Sequence, residues 1–118
     1  MRLLVVDDAP YMLKAFRDIL EAKEYEVYEA TNGEEALAVY SEVKPGVVLM
    51  DILMPRLDGV SATRKILELD PSAKIIVVSA MGKNGLEKEC MEAGAKNFIL
   101  KPFKIKELLT SIESLAVG

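Results

Sequence analysis

Residues 3–6, 47–50 and 75–78 are short, unbroken apolar runs, mostly β-branched. A strand with that pattern is buried on both faces, which happens in a parallel sheet covered by helices. Two other segments differ. Residues 26–30, Glu-Val-Tyr-Glu-Ala, alternate polar and apolar, and residues 96–100, Lys-Asn-Phe-Ile-Leu, begin polar, as edge strands do. Helical periodicity fills the spaces between these five segments. Met12, Phe16, Ile19 and Leu20 share one face, as do Leu37 with Tyr40 and Ile66 with Leu69. The clearest stripe is the last, with Ile105, Leu108, Leu109, Ile112 and Leu115. Gly94 stands where a glycine would end a fourth helix running from about residue 84 to 93.

Strict β-α alternation predicts an α/β fold with a doubly wound, five-stranded parallel sheet and helices on both faces. With right-handed crossovers, edge-like second and fifth strands fit the order 2-1-3-4-5. The first and third strands are then neighbours, and the chain changes direction between them. Ligands of such sheets bind at that switch point, beyond the carboxyl ends of the strands. No repeat or Pro/Gly-rich linker interrupts the 118 residues, so one domain over 1–118 is expected. Met1 runs straight into a strand, which argues against a domain before it.

Composition removes several function classes. The chain has no histidine, which excludes Ser-His-Asp and Cys-His chemistry, histidine metal ligands and a phosphohistidine of its own. A net charge of -4 argues against a nucleic-acid or anionic-membrane surface. No apolar stretch approaches the ~18 residues of a membrane span, and no signal peptide is visible. The lone Cys90 reads as a small buried hydrophobe, and its lack of a disulfide partner fits a reducing cytoplasm.

What remains is a set of polar groups at the strand ends. Asp7 and Asp8 follow the first strand, Asp51 the third, Ser79-Ala80 the fourth and Lys101-Pro102 the fifth. Each has a bland reading: Asp8 as a cap ahead of Pro10, Asp51 as a loop residue, Ser79 as a turn former, Lys101 as a surface lysine. Jointly that reading weakens, since independent caps need not share one rim of one sheet. Two adjacent carboxylates at the edge of a core repel each other unless a cation sits between them. Three carboxylates without a histidine or thiolate suit Mg²⁺, for which Mn²⁺ can substitute. A lysine beside such a site suits an incoming phosphoryl group, and the Ser79 hydroxyl can meet one of its oxygens. Asp51 is the one group placed to be the nucleophile, which would give an aspartyl phosphate.

Those residues in that order, with Met54-Pro55 and Asp58-Gly59 after Asp51 and Phe103 after Lys101-Pro102, resemble the receiver domain of two-component response regulators. Residues 30–36, Ala-Thr-Asn-Gly-Glu-Glu-Ala, and 92–95, Glu-Ala-Gly-Ala, extend the resemblance over essentially the whole chain. A stand-alone chain of this length is most similar to chemotaxis-type (CheY-like) receivers, whose fold is flavodoxin-like. The resemblance implies that Asp51 takes phosphate from a histidine kinase. It implies Mg²⁺ on Asp8, Asp51 and the Leu53 carbonyl, with Asp7 acting largely through water. Ser79 and Lys101 would contact the phosphoryl group, Phe98 would be the switch aromatic, and the Lys101-Pro102 bond would be cis. The resemblance places Leu53 and Met81 at two positions that would tune dephosphorylation, and both are apolar here.

The output implied is binding of a downstream protein to the face formed by the fourth helix, fifth strand and fifth helix, roughly residues 84–93, 96–100 and 104–115. A phosphoaccepting switch rather than a metabolic enzyme is expected, monomeric, with dimerisation on phosphorylation left open. A haloacid-dehalogenase-like phosphatase would need a second aspartate where Leu53 stands. A flavodoxin-like cofactor carrier would need a glycine- and hydroxyl-rich loop where Asp7-Asp8-Ala9-Pro10 stands. A receiver that folds without being phosphorylated would not need every site residue, and all are present.

Overall fold

A computed structural model describes residues 1–54, 57–82 and 85–116. Five strands alternate with five helices: β1 (Arg2–Val6), α1 (Pro10–Glu21), β2 (Glu26–Ala30), α2 (Gly33–Val43), β3 (Val47–Met50), α3 (Gly59–Leu69), β4 (Ile75–Ser79), α4 (Leu86–Glu92), β5 (Asn97–Leu100) and α5 (Ile105–Ala116). The sheet is parallel in the order β2-β1-β3-β4-β5, as expected. Central β1, β3 and β4 are buried almost throughout, while β2 and β5 keep exposed positions.

Strand alternation divides the core in two. Leu3, Val5, Leu49, Ile76, Val78 and Ile99 face α1 and α5. Leu4, Val6, Val48, Met50 and Ile75 face α2 and α3, and Val77 and Phe98 face α4 together with Cys90. Cys90 is buried as expected, and burial, the largest cause, pushes its thiol above the usual range. Gly94 ends α4 with a positive φ of 112°; its N–H reaches the Met91 carbonyl and the Ala95 N–H the Cys90 carbonyl, the paired closure of a Schellman motif.

Several sequence expectations need correction. Leu69 and Ile105, assigned to buried stripes, are 63% and 54% exposed. Both sit at helix ends, past the part of the sheet that the helix covers. On α1 the buried residues are Leu13, Phe16 and Leu20, with Met12 and Ile19 only partly covered. The fourth helix is shorter than its periodicity suggested, since Gly85 (φ 75°) is its N-cap; the expected start at Asn84 lies outside the described residues. β5 begins at Asn97 rather than Lys96.

Candidate functional site

Asp7, Asp51 and Lys101 each stand one residue past a strand, and the sheet ladder continues through them. The Asp7 N–H donates to the Ala30 carbonyl (3.1 Å), Asp51 N–H to Val6 (2.9 Å) and Lys101 N–H to Ser79 (2.7 Å). Their positions extend the alternation of Val5, Leu49 and Ile99, so all three continue the α1–α5 face. That shared parity is why residues 94 apart in sequence meet: Lys101 Nζ lies 3.0 Å from Asp7 Oδ2 and 3.7 Å from Asp51 Oδ1.

Asp8 is exposed, and it does not cap α1. Ala9 is the N-cap residue, with no side-chain cap, and Pro10 opens the helix because its missing N–H is not needed there. Asp7 instead shapes this turn, accepting the Ala9 N–H at Oδ1 (2.9 Å). The surface-lysine reading of Lys101 also fails, as its side chain is 18% exposed and ion-paired. Ser79 is buried and accepts the Met81 N–H at Oγ (3.0 Å), so its turn-forming role is real and coexists with a place on the crevice wall. The Lys101-Pro102 bond is cis.

These groups line a crevice of about 170 Å³. Tyr11 and Met12 line it too, Tyr11 unassigned by the sequence and Met12 placed there only in the apolar stripe of α1; their position in the first turn of α1, just after the Asp pair, is the available signal. Leu53 and Met81 stand at its wall with largely exposed side chains. Pro55 of the Met54-Pro55 pair lies outside the described residues. Asp58 N-caps α3 by accepting from the Val60 and Ser61 N–H groups. A Cβ on Gly59 would meet the Asp51 carbonyl, so glycine lets the helix start close beneath that residue.

Burial, then the charge of Asp7, hold the Asp51 carboxyl above the usual carboxylate range. Asp8 pushes it further in that direction, while Lys101 and the Ile52 N–H pull it back without prevailing. Carboxylate oxygens of Asp7, Asp8 and Asp51 lie within 4.8 Å of one another. Lys101 thus pairs with two of three clustered carboxylates, all hard oxygen donors. The set fits Mg²⁺, which binds through one or two carboxylates and keeps its waters.

The sequence profile of the response regulator receiver domain matches residues 3–113. Chemotaxis protein CheY of Thermotoga maritima is 46% identical over 116 residues, 98% of this chain and 97% of its own length. The CheY of Listeria monocytogenes is 44% identical over 117 residues, 98% of each chain. A chain in the crystal structure of the CheX-CheY-BeF3-Mg²⁺ complex from Borrelia burgdorferi superposes with a TM-score of 0.94 at 34% identity, covering 100% of this chain and 90% of that one.

Proposed function

The chain belongs to the response regulator receiver family, and on that premise we propose that Asp51 is the phosphoacceptor of a cytoplasmic signalling switch. The observation carrying this reading is the place of Asp51: half-buried beside Asp7, with Lys101 Nζ 3.7 Å from its Oδ1. A histidine kinase presents a phosphohistidine at the crevice. An Asp51 oxygen attacks phosphorus, the P–N bond breaks, and its electron pair leaves on the imidazole nitrogen. Lys101 and Ser79 donate to the phosphoryl oxygens. Asp8, Asp51 and the Leu53 carbonyl would hold Mg²⁺, with Asp7 acting through water, and the ion would supply charge neutralisation to the carboxylate and the phosphoryl group alike. The switch resets when water attacks phosphorus and returns Asp51 as carboxylate with free phosphate. Leu53 and Met81 are apolar and give that water no hydrogen-bonding partner.

Signal leaves by way of Ser79. Its hydroxyl accepts the Met81 N–H and keeps its own proton for a phosphoryl oxygen, so drawing Ser79 toward that oxygen pulls on the β4–α4 connection through Met81. Ser79 follows the alternation of Val77 on the α4 face, where Phe98 packs half-buried from the adjacent strand. Phe98 has no hydroxyl, so its position rests on burial alone, and the space Ser79 vacates is available to its ring. The α4-β5-α5 face then presents a different surface to a downstream protein.

The test is labelling with a small phosphodonor and Mg²⁺. The parent is expected to acquire one hydroxylamine-labile phosphate, and Asp51→Asn none. A variant that labels like the parent would place the acceptor elsewhere.

A further inference from the structure

β5 is an edge of the sheet, so alternate main-chain groups along it have no strand to pair with. The Lys101 N–H bonds the Ser79 carbonyl of β4, and alternation turns the Phe98 N–H the other way, toward the open edge. Asn97 accepts that N–H at Oδ1 (2.9 Å) and donates from Nδ2 to Ser111 Oγ of α5 (2.6 Å). A main-chain N–H only donates, which fixes the amide oxygen on Phe98 and the NH₂ on Ser111. Ser111 is buried, and its carbonyl accepts the Ser114 hydroxyl at 2.8 Å. One short side chain thus ties the main chain of Phe98 to the last helix. Asn97 is exposed, so water could satisfy the same groups and the bonds add little net stability. What they add is a geometric link.

We propose that Asn97 couples Phe98 to α5, carrying the change at β5 that follows phosphorylation round the edge of the sheet. This rests on the reading of Asp51 as phosphoacceptor. The Phe98 ring packs on the α4 face with Val77 and Cys90, whereas Leu108 and Ile112 of α5 pack on the opposite face with Ile99. Movement of the ring therefore meets α4 directly, while α5 lies across the sheet from it. Hydrogen bonds weaken within a few tenths of an ångström, so a displaced Phe98 N–H either draws the amide and Ser111 with it or breaks the bridge. Asn97 and Ser111 also line a groove of about 500 Å³ along α5, with Lys104 and Thr110. A protein seated in that groove touches both ends of the bridge. Because coupling is reciprocal, a partner that prefers the displaced α5 also favours the phosphorylated form.

The experiment compares the parent with Ser111→Ala, Asn97→Ala and Asn97→Asp, reading amide chemical-shift changes on adding beryllofluoride with Mg²⁺. The parent is expected to respond at Phe98, in α4 and in α5. Both alanine variants should keep the response at Phe98 and in α4 and lose more than about half of that in α5. Asn97→Asp should restore it, since one carboxylate oxygen still takes the Phe98 N–H and the other accepts the Ser111 hydroxyl in a bond of reversed direction. A merely structural role for Asn97 predicts no such selective loss and rescue. Full-sized α5 changes in both alanine variants would overturn the coupling, as would an Asn97→Asp protein that behaves like Asn97→Ala. Failure of the Asp51 reading is seen separately, as labelling of Asp51→Asn at the parent's level.

Discussion

Two carboxylates at opposite ends of the sheet have opposite surroundings. Asp70, the C-cap residue of α3 beside the start of β4, receives the Tyr40 hydroxyl at 2.7 Å, the Ser72 hydroxyl at 2.7 Å and the Ser72 N–H at 3.0 Å. Those hydrogen bonds, from Ser72 first and then Tyr40, hold its carboxyl below the usual range. Asp51, past the end of β3, has burial and two other aspartates around it and is held above that range. One end of the sheet satisfies its anion locally. The other leaves an anion short of partners, which is the condition under which a cation and a phosphoryl group are worth binding.

The contrast is sharpest in its response to Mg²⁺. At about 100 times its dissociation constant the ion should stabilise the protein by about 2.7 kcal/mol, through linkage to the folded state alone. Thermal melts of Asp8→Ala should show no such gain, and an undiminished Mg²⁺ response would remove Asp8 from the site. The same ion should not restore stability lost by altering Tyr40 or Asp70.

A smaller effect separates the two ends without metal. Because Asp51 holds its proton more tightly folded than unfolded, the folded state binds more protons between the two values, and stability falls as pH rises through that window. Asp51→Asn should therefore stabilise the metal-free protein near neutral pH. The gain should vanish in acid, where the parent is protonated as well. Denaturant melts in EDTA across pH would show this, and a destabilised variant would break the contrast.

Asp70 should behave with the opposite sign and the smallest size. Its contribution is present above the unfolded carboxylate value and lost as pH falls through the folded one. Tyr40→Phe should lower stability at neutral pH, and the deficit should narrow in acid as Asp70 is neutralised. A deficit that stays constant with pH would assign the loss to packing around the Tyr40 ring, whose hydroxyl is held neutral chiefly by burial and then by Asp70.

Much of this contrast was legible from the sequence at the functional end and little at the other. The central strands were visible because burial on both faces leaves no polar residue to blur the pattern, and the polar residues ending them stood out for the same reason. The order of strands then placed Asp7, Asp8, Asp51, Ser79 and Lys101 on one rim. Partnership was not legible: nothing local says that Asp7 takes Lys101 while Asp8 takes none, since that depends on which face each residue continues past its strand. The Tyr40–Asp70 bond also went unseen, because it joins two helix ends 30 residues apart with no recurring pattern. Leu69 and Ile105 were misplaced because periodicity reports the face of a helix and not how far the sheet extends beneath it.

The chain separation of the Asp7–Lys101 pair has a consequence for biosynthesis. All three carboxylates of the crevice are translated within the first 51 residues, while their cation arrives at position 101. A nascent chain still lacking its last β-α unit carries the anionic centre without the ammonium of Lys101. Vectorial synthesis thus leaves the centre electrostatically open until the fifth strand docks, and a truncated product is marked by the uncompensated acid it exposes.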